Sequence, residues 1–475
     1  MLIPLTLVDD QPLQKQLYEQ VLDLIVSARL PPGTRMPSTR TMAERFGISR
    51  TTVLLTYERL IANGYLETSR ARGTYVRRRV KPRVDAAVGA KPSPGDSMRP
   101  AQPPSHEQMG APDPSLFPVA RWKTLMRGTL DRLGLEVRSA ASTTGRGLRN
   151  AIAGWLATSR GLDVDPKQVV VVHGRRQALH LVVHMTAHLR TQRNVRAVVE
   201  DPGDSAFAGM LAHASAEIIR VPVDADGICA DRLPRGKITL LRVTPEHQRP
   251  LGATLSLARR HALLAWAARA GALILEEDID GEVRYGRISH PSLMKLDSDD
   301  LVIMLGGFDT SLGPWLSLAF LVFPRRMTDV ATQARRLLDD IRFSLEETAL
   351  AEFLDSGSYA RHLLCVGKEY GRRRDMVVDL LRNCFGQQTA IWGGKAGLHL
   401  TWFPSGMAGP AAYLAELARR CGLECAAVAG RSTPPLPTGV CLGFGSLSAP
   451  QLEARLTDFA GCVSADTPKT SLFGG

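Results

Sequence analysis

No stretch of this chain stays apolar for the length of a membrane span, and its first residues show no leader pattern, so a spanning or exported protein is not expected. A soluble, cytoplasmic protein without membrane contact is the expectation. Cysteine is sparse. Cys229, Cys365, Cys384, Cys421, Cys425, Cys441 and Cys462 are odd in number and scattered, which fits reduced thiols and excludes a disulfide framework. Cys421 and Cys425 lie one helical turn apart, but no second pair or neighbouring histidine completes a zinc site, so they read as buried small residues and no metal is expected. No repeat of fixed period is visible, which removes the repeat architectures.

Acid is also in short supply. Against 59 Lys/Arg there are 47 Asp/Glu, a net charge of +12 and a pI near 9.6, and such a balance favours a polyanionic partner. The excess is local: residues 1–84 hold 14 Lys/Arg and 7 Asp/Glu, so +7 of the +12 lies there. At 475 residues and 44% apolar composition, two or three domains with their own cores are expected.

In that basic part, Ser38 to Leu60 reads as two helices meeting at Phe46-Gly47-Ile48-Ser49, where glycine permits a left-handed turn and Ser49 can cap the second helix. The second helix starts near Arg50 and places Val53, Leu54, Tyr57, Leu60 and Ile61 at helical spacing as a packing face. Arg50, Thr51 and Thr52 then occupy its exposed N-terminal end, the end that reads bases when a helix enters the major groove. A solvated amphipathic helix is the plainer alternative, and the local charge favours double-stranded DNA. Gln14 to Arg29 adds a first helix, closed by Pro31-Pro32-Gly33. Asn63 to Glu67 and Gly73 to Val76 read as a hairpin across Thr68 to Arg72, with Arg70 and Arg72 at its tip, either near phosphate or in an ordinary polar turn.

Pro31-Pro32-Gly33-Thr34-Arg35-Met36-Pro37-Ser38-Thr39-Arg40, Ser49-Arg50-Thr51-Thr52-Val53, Gly64-Tyr65-Leu66-Glu67 and Gly73-Thr74-Tyr75-Val76 together resemble the winged helix-turn-helix of GntR-type bacterial regulators. The resemblance implies a DNA-facing set of Arg35, Ser38, Arg40, Ser49, Arg50, Thr51, Thr52 and Gly73, and Thr39 is counted beside them. It assigns residues 1–77 to the DNA-binding domain. Residues 78–110 are basic and then rich in Pro, Ala and Ser, too poor in apolar residues for a core, and read as a linker.

From 111 to 475 the style changes to α/β. Apolar runs at Val169 to Val172, Val198-Val199, Ile238 to Val243, Ala272 to Leu275, Val302 to Leu305 and Leu318 to Phe323 alternate with helix-length segments, which suits a mixed, mostly parallel sheet covered by helices. The last two are separated by about a dozen residues, short for a crossover, so that pair can be antiparallel. Phe353 to Leu380 reads as one helix, and the remainder as a smaller α+β lobe. The large lobe is placed at about 145–335 and the small lobe at about 345–475.

Several phrases here resemble fold-type I aminotransferases, in the version fused behind a GntR domain in MocR-type regulators: Leu116-Phe117-Pro118 with Trp122, Gly147-Leu148-Arg149, Glu200-Asp201-Pro202-Gly203, Val243-Thr244-Pro245-Glu246-His247-Gln248-Arg249-Pro250-Leu251-Gly252, and Arg372-Arg373-Arg374-Asp375. The family's cofactor is pyridoxal phosphate, held as an imine that only a primary amine can form. Here the segment that resembles the family's lysine phrase is Gly306-Gly307-Phe308-Asp309-Thr310-Ser311-Leu312-Gly313-Pro314, with Thr310 at the lysine position and no lysine between Lys295 and Lys368. Ser317 stands where the resemblance implies a phosphate-binding arginine. Glu277 replaces the aspartate that meets the pyridinium, and Ile279 the tyrosine that meets the ring hydroxyl. Arg175 and Arg176 follow Gly174 in place of a small residue and glutamine, and Asp204 takes another tyrosine position.

The expectation is therefore no catalytic residue, no transamination and no bound pyridoxal phosphate. Two uses of the cleft stay open: an anionic effector held by Arg175 and Arg176 with His247, Thr310 and Ser317 as polar liners, or a filled pocket in which these arginines pair with Asp204 or the carboxylates of 276–282. The resemblance further implies a homodimer that presents two reading heads to paired half-sites. The alternative is a regulator or aminotransferase that binds pyridoxal phosphate noncovalently. A constitutive DNA-binding protein whose large domain only dimerises is the other rival.

Overall fold

The computed structural model describes Leu5 and residues 13–27, 29–62, 64–69, 73–77, 109–136, 144–188, 195–278, 280–286, 290–338, 344–404, 410–428 and 439–466. Arg70, Arg72 and Ile279, and the linker before Met109, lie outside these residues. The chain divides into two compact units, Met1–Arg99 and Pro100–Gly475.

In the first unit, α1 (Leu13–Val26), α2 (Thr39–Phe46) and α3 (Arg50–Ala62) precede a hairpin of β1 (Leu66–Ser69) and β2 (Gly73–Val76), paired antiparallel with Leu66 opposite Val76. Gly47 closes α2 with φ at +65°, and Ser49 accepts a hydrogen bond from the Thr52 amide at 3.0 Å, so turn and cap form as the sequence requires. Leu17, Val21, Met42, Val53, Tyr57, Leu60 and Val76 build the core. Leu54 does not join them and is 46% exposed. The buried stripe of α3 is Val53, Thr56, Tyr57 and Leu60, a regular i, i+3, i+4, i+7 series from which Leu54 is rotated by about 100°. Thr56 can be buried because its hydroxyl donates to the Thr52 carbonyl at 2.8 Å.

The second unit opens with α4 (Val119–Glu136) and α5 (Thr144–Arg160). It continues through β3 (Val169–Val172), α6 (Gly174–His188), β4 (Arg196–Asp201), α7 (Ser205–His213), β5 (Glu217–Asp224), β6 (Gly227–Ile228), β7 (Leu240–Val243), α8 (Leu257–Ala270) and β8 (Leu273–Glu277). Then come α9 (Leu293–Leu296), β9 (Val302–Gly307), α10 (Asp309–Leu312), β10 (Ala319–Val322) and α11 (Thr328–Leu338). The eight strands lie in the order β3-β10-β9-β8-β7-β4-β5-β6. The central pairs are parallel, while β10 runs antiparallel to both β3 and β9, the pairing that the short connection allowed. Alternate residues supply two faces: Val170 and Val172 join the core under α6 and α11, and Val169 and Val171 the core under α5. Strand β5 was not among the expected runs, because Glu217, Arg220, Pro222 and Asp224 break its apolar sequence and only Val221 and Val223 are buried.

The expected single helix from Phe353 is two, α12 (Leu345–Asp355) and α13 (Ser358–Phe385), broken where Gly357 takes φ +66°. The small lobe adds β11 (Ala390–Trp392), β12 (His399–Phe403), α14 (Ala411–Arg420), β13 (Cys425–Val428), β14 (Gly439–Gly443) and α15 (Ala449–Asp466), with a four-stranded antiparallel sheet in the order β11-β12-β14-β13. Cys421 closes α14 and Cys425 opens β13, so the two do not share a helix, and only Cys425 is buried. Met109 and Gly110, expected at the end of the linker, are structured: Met109 is buried in the core beneath α8. Among the described residues no helix is long and apolar enough to cross a membrane.

Candidate DNA-reading face and effector cavity

Each unit holds one candidate site. On the first, Arg50 and Thr51 are exposed at the start of α3, and Thr52 is half-buried with its hydroxyl 2.9 Å from that of Ser49. Ser38 and Ser49 both act as N-caps, so they position the ends of α2 and α3. Thr39, half-buried, is the first residue of α2, and Arg40 reaches Glu44 one helical turn on at 2.9 Å, both side chains exposed. The side chain of Arg35 lies against Gly73, where an added Cβ would meet the guanidinium at 3.6–3.7 Å and φ is +95°. The start of α3, α2 and the hairpin thus each carry basic or hydroxyl groups at the surface of this unit, the residue types that contact phosphate and base edges.

In the second unit a cavity of about 440 Å³ opens where β4, β7, β8 and β9 end, roofed by Met109 to Pro112. Two ion clusters line it. Arg175, one residue into α6, forks onto Glu277 and Asp204 through Nε and Nη2. Arg242, in the middle of β7, reaches Glu277 at 2.6 and 2.9 Å and Asp204 at 3.3 Å. Burial pushes the Asp204 and Glu277 carboxyls up, but the two guanidiniums outweigh it and hold both below the ordinary carboxylate range. In the second cluster Arg249 takes both oxygens of Asp280 at 2.6 and 2.8 Å, and the Thr310 hydroxyl donates to Asp280 at 2.8 Å. Burial opposes ionisation there too, and Arg249 again wins.

Arg175 pairs with Asp204 and Glu277, as one of the two expectations had it, but the pocket around it is an open cavity and not a filled one. Arg176, one residue on along α6, points outward and is exposed, and Ser317 is exposed with its hydroxyl on the Pro314 carbonyl at 3.2 Å. Neither lines the cavity, which corrects that expectation: a helix turns about 100° per residue, so adjacent arginines cannot both face one pocket. Arg242, Arg249, Asp309 and His399 were not singled out from the sequence. Arg242 carried a signal, since a charge within the apolar run Leu240-Leu241-Arg242-Val243 demands a buried partner. His399 carried none.

His247 and His399 touch at 3.2 Å beside Asp280. Burial holds His247 down at about 4, and burial and the neighbouring positive charges hold His399 well below its ordinary value, so both are neutral. A cation placed there would meet the guanidinium of Arg249 on Asp280. The outer nitrogens, His247 Nδ1 and His399 Nε2, also lack the hydrogen-bond partners that metal-bound imidazoles keep. The trio is better described as a neutral pair beside an ion pair.

Asp309 lines the same cavity with Oδ1 unpartnered, and burial pushes its carboxyl up to about 6 against a weaker pull from Arg175. A carboxyl raised on folding costs stability once ionised. The cost is absent below about pH 4, grows between pH 4 and 6, and is complete above. Asp309→Asn should therefore gain on the order of 1–3 kcal/mol at pH 7 and nothing at pH 4. Urea titrations at the two pH values check this, and an equal gain at both would count against it.

Residues 13–76 match the family model for bacterial regulatory proteins of the gntR family. The chain is 32% identical to the probable rhizopine catabolism regulatory protein MocR of Rhizobium meliloti over 82% of this chain and 81% of that one. It is 30% identical to the HTH-type pyridoxine biosynthesis transcriptional regulator PdxR of Corynebacterium glutamicum over 97% and 99%. An archaeal alanine:glyoxylate aminotransferase superposes on 75% of this chain and 90% of its own with a TM-score of 0.64 at 23% identity, a likeness of fold.

Proposed function

The chain belongs to the GntR-type transcription regulators of the MocR subgroup, and from that premise we propose that its aminotransferase-like domain has given up covalent cofactor chemistry and serves as a dimerising, effector-sensing domain. The observation that carries this is the pair of clusters in the cavity. Thr310, at the position of the family's lysine, has a hydroxyl, which forms no imine, and that hydroxyl is committed to Asp280. Glu277, at the position of the carboxylate that meets the cofactor's ring nitrogen, is already saturated by Arg175 and Arg242. Ser317 faces solvent and offers no charge to a phosphate. The residues present do not fit pyridoxal phosphate, and no catalytic step is assigned to them.

The cavity has the size of a small-metabolite site. Arg175 and Arg249 keep 26% and 22% of their side chains accessible, so an anionic effector could meet them there. In a cytoplasmic homodimer such a ligand would change the spacing of two DNA-reading heads by favouring one arrangement over another. The DNA contacts are assigned to Arg35, Ser38, Thr39, Arg40, Ser49, Arg50, Thr51, Thr52 and Gly73, together with Arg70 and Arg72 from the sequence.

Full-length protein mixed with pyridoxal phosphate, reduced with borohydride and analysed by peptide mass spectrometry is expected to show no stoichiometric adduct and no aldimine absorbance band. A single lysine modified in full would sink the proposal, whereas cofactor retained through gel filtration without fixation would favour the noncovalent alternative. Thermal-shift measurements with small anionic metabolites separate a sensor, which such a ligand stabilises, from a purely structural dimeriser.

A further inference from the structure

Two large aliphatic side chains on α3 face water: Leu54 is 46% and Leu55 44% exposed. The other exposed positions of that helix among the described residues are Arg50, Thr51, Glu58 and Arg59. Leu54 follows Arg50 by one helical turn and Leu55 follows Thr51 by one turn, and both lie away from the buried stripe of Val53, Thr56, Tyr57 and Leu60. They therefore extend the reading end of the helix. A single exposed leucine is ordinary; an adjacent pair beside the residues that meet the groove asks what apolar group lies opposite.

The surrounding charge selects the occupant. Residues 1–84 carry an excess of +7, so the surface that this helix approaches is polyanionic. In the major groove of a DNA duplex the apolar feature is the C5-methyl group of thymine. We propose that Leu54 and Leu55 read thymine methyl groups, and so set a preference for T·A pairs next to the base pairs that Arg50 and Thr51 address. This rests on the assignment of α3 as the groove-entering helix and names which bases it prefers. An aliphatic side chain has nothing to offer a phosphate, so the pair contributes to sequence choice and leaves the salt dependence of binding untouched.

The test begins by selecting a binding site for the full-length protein from random-sequence duplexes. Each thymine of the selected site is then replaced by deoxyuridine, which removes the methyl and keeps the pairing. Wild-type protein is expected to lose about fourfold in affinity at one or two positions per half-site, the effect of one methyl-sized apolar contact. Leu54→Ala or Leu55→Ala should bind the thymine site more weakly, be indifferent to uracil at the matching position, and keep the wild-type salt slope. Indifference of the wild-type protein to every thymine methyl, or the same sensitivity in both alanine variants, overturns the inference while leaving DNA binding intact. Failure to select any sequence would instead count against α3 as a base reader. If the leucines serve protein contact, the alanine variants will change the sedimentation of the free protein and keep the uracil effect, which also overturns it.

Discussion

Glu277→Ala is expected to lower the stability of the larger unit by about 3–5 kcal/mol, because it removes one partner of a buried charge cluster and strands the rest. Arg242 decides the size of the effect. Its side chain is 2% exposed, it sits in the middle of the central strand β7, and it forms ion pairs with Glu277 and, at the longer distance of 3.3 Å, with Asp204. Arg175, 26% exposed, can turn toward water in the cavity; Arg242 cannot. Glu277→Gln keeps the shape and one accepting oxygen and should lose less, as the desolvated charge remains but is still hydrogen-bonded. Arg176→Ala, one helical position from Arg175 but facing solvent, should change stability by less than about 0.5 kcal/mol. Urea denaturation of the full-length protein measures all three. A Glu277→Ala protein as stable as wild type would mean that the cluster does not hold the cavity wall, and the view of the cleft as internally neutralised would fall with it.

Arg50→Ala is expected to weaken binding to the selected site by about 1–3 kcal/mol, the range of a lost arginine contact to a guanine edge, and to relax the choice of base at that position. Arg50 is exposed at the start of α3. Its effect should exceed that of Arg40→Ala, because Arg40 is held by Glu44 at 2.9 Å and acts at most at the backbone. A footprinting titration distinguishes the two: a uniform loss across all sequences identifies a phosphate contact, and a loss confined to the selected site identifies base reading. Unchanged affinity in Arg50→Ala would remove α3 from the groove and the thymine reading with it.

Much of the DNA-reading unit was legible from residues alone. Gly47 as a left-handed helix stop, Ser49 as a cap and the second strand of the hairpin depend on chemistry within a few residues, and each formed where the sequence placed it. The first strand, expected over Asn63 to Glu67, instead runs Leu66–Ser69, because the amides of Gly64 and Tyr65 are spent on the Ile61 and Leu60 carbonyls that close α3. The exposure of Leu54 was not legible, because Thr56 can be buried once its hydroxyl finds the Thr52 carbonyl, and a hydropathy pattern counts leucine as the better core residue. The same holds for the break in the long helix of the small lobe, where Gly357 interrupts an otherwise continuous apolar period.

The sequence by itself determined that a primary amine is missing from 296–367, that +7 of the +12 net charge lies before residue 85, and that a helix-turn-helix precedes an α/β domain of the aminotransferase type. Tertiary structure alone decided that Arg175 rather than Arg176 turns inward, that Ser317 leaves the cleft, that Arg242 and Arg249 enter it, and that His399 backs His247 from behind its wall. Caps, turns and periodicity are settled between near neighbours, so they are written in order along the chain. Partners of buried charges are settled by which strand ends converge, and Arg175 meets Glu277 across 102 positions and Arg242 meets it across 35 only once the sheet has formed.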